Sequence, residues 1–113
     1  MTAIDLKLGA ERIARTEQTA KDMLRLLLKN IDQDVLQIKT AYTQQNWETM
    51  RAALHKILGG LSYCGAPDLE QSCLHLQNAL KNNDQRIDTF FQRFLSEIDI
   101  LKSTWNSLGP VAN

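Results

Sequence analysis

What this chain of 113 residues lacks narrows its function early. It has only two cysteines, Cys64 and Cys73, with no CxxC pair and no zinc-ligand spacing. Cys73 and His75 lie two positions apart on an expected helix, so they point about 200° apart and cannot share a metal. Thirteen basic residues balance thirteen acidic ones, and no basic stripe stands out, which excludes a nucleic-acid partner. The longest apolar run, Met23 to Leu28, is short and broken by Arg25, so it cannot span a bilayer. The first residues, Met1-Thr2-Ala3, have neither the basic nor the apolar region of a signal peptide. The expectation is therefore a cytosolic protein, or the cytosolic part of something larger, with no direct membrane contact. There is no Gly-rich phosphate loop, HExxH or Ser-centred elbow, no resident cofactor is implied, and no metal site is expected.

Helical periodicity is what remains, and no stretch with the period of a strand competes with it. A weak pattern of Ile4, Leu6, Leu8 and Ile13 gives a short first helix over about 4–14. Thr16 is placed to cap a long second helix, 17–44, whose apolar positions Leu24, Leu28, Ile31, Val35, Ile38 and Tyr42 step by four and three. Asn46 caps a third, 47–64, with Trp47, Met50, Leu54, Ile57, Leu58 and Leu61 on its core side and Gly65 closing it. Pro67 suits the first position of a fourth helix, 67–82, which buries Leu69, Cys73, Leu76 and Leu80 before Lys81-Asn82-Asn83 ends it. Asp84 caps a last helix, 85–107, striped by Ile87, Phe91, Phe94, Ile98, Leu101 and Trp105. The fold class is all-α: a single domain built as an antiparallel four-helix bundle with a short additional N-terminal helix.

One histidine sits outside these stripes. In Leu54-His55-Lys56-Ile57-Leu58-Gly59-Gly60-Leu61, the apolar residues face inward and His55 does not. At about 100° per residue it shares the outer flank with Arg51, Gly59 and Ser62. Two glycines inside a helix cost roughly 1 kcal/mol each relative to alanine. A functional reason is that Gly59 clears the surface beside His55 for another protein or a phosphoryl group. Read alone, an isolated histidine before Gly-Gly is more simply a surface residue at a helix end; the apolar spacing running on through Leu61 favours the first reading. His75 reads as a solvated surface residue.

Counting along the helices links His55 to a partner. From His55 the chain descends roughly 12 Å along the third helix and climbs roughly 15 Å along the fourth to Gln77. Gln77 thus returns to the level of His55, on the flank of its own stripe, with Lys81 one turn beyond. Its amide oxygen is placed to accept Nδ1–H of His55 and so fix the tautomer with a free Nε2 lone pair.

The run His55-Lys56-Ile57-Leu58-Gly59, the later Gly65 and Gln77 resemble the histidine-containing phosphotransfer (HPt) domain. Asp5, the segment Thr19 to Leu28 and the segment Ser62 to Pro67 are similar to the C-terminal HPt domain of BarA/GacS-type hybrid sensor kinases. The resemblance covers roughly the whole chain. It implies a phosphoryl carrier without kinase activity of its own, acting in a His–Asp phosphorelay. The partners it implies are receiver domains, one of a hybrid kinase and one of a response regulator, with Mg²⁺ held by the receiver. By motif match His55 is the phosphoacceptor, Gln77 orients its ring and Gly59 permits close approach. Arg51, Ser62 and Lys81 belong to the docking face, and an isolated domain of this type works as a monomer.

The chain departs from the family pattern in two places. The usual lysine three residues after the histidine is Leu58, and the small pair after the glycine is Gly60-Leu61. Lys56 ranks first as the cation facing the phosphoryl group, because some family members carry lysine there; Arg51 and Lys81 follow. The dimerisation helices of a histidine kinase are the less fitting relative: that pattern wants an acidic residue where Lys56 stands and a proline where Gly60 stands. A helical interaction module without phosphochemistry is the alternative that periodicity alone leaves open.

Overall fold

The computed structural model describes residues 2–13, 16–61 and 65–108. Five helices follow one another: α1 (Leu6–Ile13), α2 (Glu17–Thr43), α3 (Trp47–Leu61), α4 (Pro67–Lys81) and α5 (Ile87–Leu108). Among the described residues there is no strand. Helices α2 to α5 form the expected antiparallel ring, and side-chain contacts show its register. Between α2 and α3, Tyr42 meets Trp47 near the connecting turn with ring centroids 6.0 Å apart, while Leu27 lies beside Gly60 at the far end. Tyr42 also stacks on Phe91 of α5 at 4.0 Å, Lys102 pairs with Asp32, and Arg25 lies over Trp105 at 6.0 Å.

The four stripes meet inside this ring. Leu24, Ile31, Val35 and Ile38 of α2 are buried with Met50, Leu54, Ile57 and Leu61 of α3. Leu69, Cys73, Leu76 and Leu80 of α4 and Phe91, Phe94, Ile98 and Leu101 of α5 complete the core. A fully buried Leu, Ile or Phe side chain contributes about 1.5–3 kcal/mol relative to exposure, so these stripes carry the fold. Leu28, Tyr42, Trp47, Leu58, Ile87 and Trp105 pack on this core only partly buried, mostly at helix ends or on stripe edges.

The turns are closed by local chemistry. Thr16 accepts the Thr19 N–H at 3.2 Å and caps α2; Asn46 accepts the Thr49 N–H at 3.2 Å and caps α3. Both α2 and α4 end without glycine. Gln45 (φ 56°) and Asn83 (φ 51°) take the left-handed position, and the next N–H returns to the third-last carbonyl: Asn46 to Ala41, Asp84 to Ala79, each at 2.9 Å. The last helix differs from expectation. Asp84 binds the Arg86 N–H at 2.8 Å and grips the Arg86 guanidinium, which makes a tight turn and delays α5 to Ile87. The Arg86 guanidinium also holds the Asp84 carboxyl down at about 2.

The N-terminal segment straps the α3–α4 turn. Asp5 caps α1 by accepting the Leu8 N–H at 2.9 Å, and its own N–H donates to the Gly65 carbonyl. Gly65 has φ +71°, and a Cβ there would overlap the Asp5 carbonyl, so the close approach requires glycine. Helix α4 has no side-chain cap, because Ala66 precedes Pro67. The Thr2 carbonyl substitutes by accepting the Asp68 N–H at 3.1 Å, one of the donors a helix start leaves open. Arg12 adds an ion pair to Glu70 at 2.7 Å. The stretch expected to extend α3 to residue 64 lies outside the described residues. Among those described, no helix is long and apolar enough to cross a membrane.

Candidate functional site

Helix α3 supplies the site because its stripe fixes which residues remain outside. With Leu54 and Ile57 fully buried, His55 is held on the exposed flank, and Arg51 and Gly59 are exposed one turn before and after it. Ser62, expected on the same flank, lies outside the described residues. The two glycines separate in role. A Cβ added at Gly59 would meet nothing within 4 Å, whereas one at Gly60 would sit 2.9 Å from Leu27 Cδ1. Gly60 thus lets α2 pack close to α3. Among the described residues nothing packs where a Gly59 Cβ would stand, and the open space it leaves is one turn from His55.

Helix α4 brings Gln77 alongside. The Cys73 thiol donates to the Leu54 carbonyl at 3.5 Å, next to His55 in the chain. Burial, with Glu70 nearby, pushes that thiol up to about 12, so Cys73 is a protonated core residue. Gln77 follows Cys73 by one turn, and in antiparallel helices that turn leads toward Arg51, within about 6 Å of rise of His55. Gln77 is half-buried on the flank of α4, and Lys81 is exposed one turn beyond it. The hydrogen bond expected between the His55 ring and Gln77 is not formed: among the described residues neither side chain has such a partner.

The cations are distributed in a way that sequence order does not reveal. Lys56 Nζ lies 3.1 Å from Asp34 Oδ1 on α2, turned toward the opposite side of α3 from α4. Arg51 and Lys81 form no ion pair among the described residues. Asp34 was missed by the sequence reading, because a carboxylate on a helix flank is ordinary until its partner is known. Also missed was a groove of about 310 Å³ between α2 and α3, lined chiefly by Met23, Leu26, Leu27, Ile57 and Gly60. A signal for it was present: Leu26 is apolar yet off the α2 stripe, and it is 65% exposed. Among the described residues no group of three or more His, Cys, Asp and Glu side chains is arranged to hold a metal.

Comparison with known proteins agrees with this geometry. Residues 22–104 match the family model described as the Hpt domain. The chain is 31% identical over 80 residues to the sensor protein GacS of Pseudomonas syringae pv. syringae, covering 71% of this chain and 9% of that protein. It is 29% identical over 86 residues to the sensor histidine kinase GacS of Pseudomonas protegens, covering 76% of this chain and again 9% of the relative. The chain thus spans about a tenth of the length of these curated relatives. The crystal structure of the HPT domain from a sensor hybrid histidine kinase of Shewanella superposes with a TM-score of 0.82 at 25% identity, covering 94% of this chain and 92% of that one. An exposed histidine on the second helix of an antiparallel bundle, open space one turn away and a family match across the whole ring converge on one identity: this chain belongs to the Hpt domain family of phosphorelay phosphocarriers.

Proposed function

We propose that His55 is the residue that carries the phosphoryl group. Its Nε2 lone pair attacks the phosphorus of a receiver domain's aspartyl phosphate, the N–P bond forms as the P–O bond to the aspartate breaks, and the carboxylate leaves. The reverse step, onto the aspartate of a second receiver, regenerates the free imidazole. The observation that carries this reading is the pairing of an exposed His55 with the empty space at Gly59. The attacking atom needs access along a line, and among the described residues nothing packs into that space.

The remaining chemistry belongs to the partner. The receiver supplies Mg²⁺ and the surroundings that stabilise the transferring group, so this domain provides a nucleophile and a docking face and has no kinase activity. Gln77 acts when its amide turns to accept Nδ1–H, leaving Nε2 unprotonated for attack. Lys56 offers its ammonium to the phosphoryl group by leaving Asp34, and Arg51, Ser62 and Lys81 border the docking face. The donor and acceptor are the receivers of a hybrid kinase and of a response regulator, on the cytosolic side of the membrane. A monomer suffices for both steps.

Incubation with a phosphorylated receiver domain and Mg²⁺ tests the reading. The domain acquires phosphate that is labile in acid and stable in alkali, the signature of a phosphoramidate. Absence of any such label on a folded domain would leave the plain interaction module in its place.

A further inference from the structure

Asp34 and Lys56 form an unequal pair. The Asp34 side chain is only 13% exposed, set into the wall of α2, while the Lys56 side chain is 70% exposed and reaches across to it. Their contact at 3.1 Å stands where two grooves between α2 and α3 meet. On one side is the apolar groove of Met23, Leu26, Leu27, Ile57 and Gly60; on the other is a more polar one running past Gln37, Thr40 and Thr49. Lys56 and Asp34 border both.

Neighbouring positions on a helix do not face the same way. His55 and Lys56 leave the axis about 100° apart, so the ion pair with Asp34 directs Lys56 away from the face of His55. A lysine stem is long and freely rotating, however, and an ammonium binds whichever anion offers more charge at less desolvation. A phosphoryl group on His55 would present such an anion, with three acceptor oxygens where the neutral ring presented none.

We propose that Asp34 is a positioning residue of the phosphotransfer site: it holds Lys56 against α2 while His55 is free, and competes for the same ammonium once His55 is phosphorylated. This rests on the carrier reading given above. No covalent bond changes in the exchange; one ammonium moves between a carboxylate and a phosphoryl group. The competition leaves the phosphohistidine less stabilised than Lys56 alone would make it, which favours passing the group onward. It also gives the domain two surfaces. When Lys56 leaves, the Asp34 carboxylate at the edge of the apolar groove is uncovered, so phosphorylated and free forms differ in charge 100° around the helix from the modified residue.

The test is phosphoryl exchange with a phosphorylated receiver domain and Mg²⁺, reading the equilibrium ratio of phosphorylated to free domain in four proteins: wild type, Asp34→Asn, Lys56→Met and the double variant. Asp34→Asn raises the ratio about two- to fivefold, the range open to an exposed ion pair, and Lys56→Met lowers it. In the Lys56→Met background, Asp34→Asn changes nothing further, which a packing effect would not reproduce. In the wild type, the NMR resonance of the Asp34 carboxylate carbon moves on phosphorylation. An unchanged ratio in Asp34→Asn, an equal shift with and without Lys56, or an unmoved Asp34 resonance would each overturn the proposal. If the wild type itself takes up no phosphate, the carrier reading fails first, and that result is distinct from the other three.

Discussion

His55 and His75 are both exposed histidines on adjacent helices of one bundle, and their surroundings differ in every respect that matters for phosphotransfer. The His75 ring lies 5.8 Å from the Phe90 ring, and its Nε2 is 3.4 Å from the Gln71 side-chain amide. It sits beside α5 with Arg93 bordering the same hollow. Among the described residues His55 has no such neighbours, and one turn beyond it stands a glycine where an added Cβ would meet nothing within 4 Å. Exposure therefore does not make a nucleophile. What distinguishes His55 is that the chain forgoes a side chain one turn away, where a Cβ would meet nothing within 4 Å.

The largest expected difference comes from exchanging the two rings. His55→Gln abolishes acid-labile phosphate, while His75→Gln leaves its uptake at the wild-type rate; radiolabel transfer from a receiver reads both. Label retained by His55→Gln, on His75 or elsewhere, would remove the contrast altogether.

Filling the space beside His55 comes next. Gly59→Gln places a side chain where the partner must approach, and misplacing reacting groups by about 1 Å costs on the order of a hundredfold in rate. Rapid-quench kinetics would show that loss while circular dichroism shows an unchanged helical bundle. Unaltered transfer would mean that the receiver approaches from another direction.

Gln77→Ala has a smaller effect. One neutral hydrogen bond contributes about 0.5–1.5 kcal/mol net, so the variant stays folded and phosphorylatable and transfers at most about tenfold more slowly. The ring's tautomer, read from its nitrogen chemical shifts, should lose its preference in this variant. The same tautomer in both proteins would show that Gln77 does not act on His55.

The smallest effect separates the two glycines. Gly59→Ala stabilises the domain by up to about 1 kcal/mol, since alanine is the better helix former and no atom stands in its way. Gly60→Ala gains less, because Leu27 Cδ1 at 2.9 Å has to move first. Urea denaturation of the two variants measures the difference.

Much of this was readable in the sequence, for identifiable reasons. The stripes of α2 to α5 place core residues by helical period, a local property, and Thr16 and Asn46 cap through atoms three residues away. His55 was readable as an outlier from its own stripe. What escaped depends on pairs distant in the chain. Nothing in the order of residues joins Lys56 to Asp34, Gly60 to Leu27 or Asp5 to Gly65. Two helices start two residues later than expected: α1 at Leu6, because Asp5 is its cap, and α5 at Ile87, because Asp84 closes on Arg86 and spends its capping oxygen before the helix begins.

The strap at the N-terminus has a consequence for where this domain begins as a physical unit. The family-model match starts at residue 22, yet the carbonyl that caps α4 comes from Thr2 and the one that Gly65 makes room for comes from Asp5. A fragment trimmed to residue 22 would leave the Asp68 N–H of α4 to water and its hinge with α3 unbuttressed. Gln77 is carried on that helix, so its place beside α3 depends in part on residues upstream of the family-model match. The stretch that the family model matches is thus shorter than the stretch that holds the turn between α3 and α4 in place.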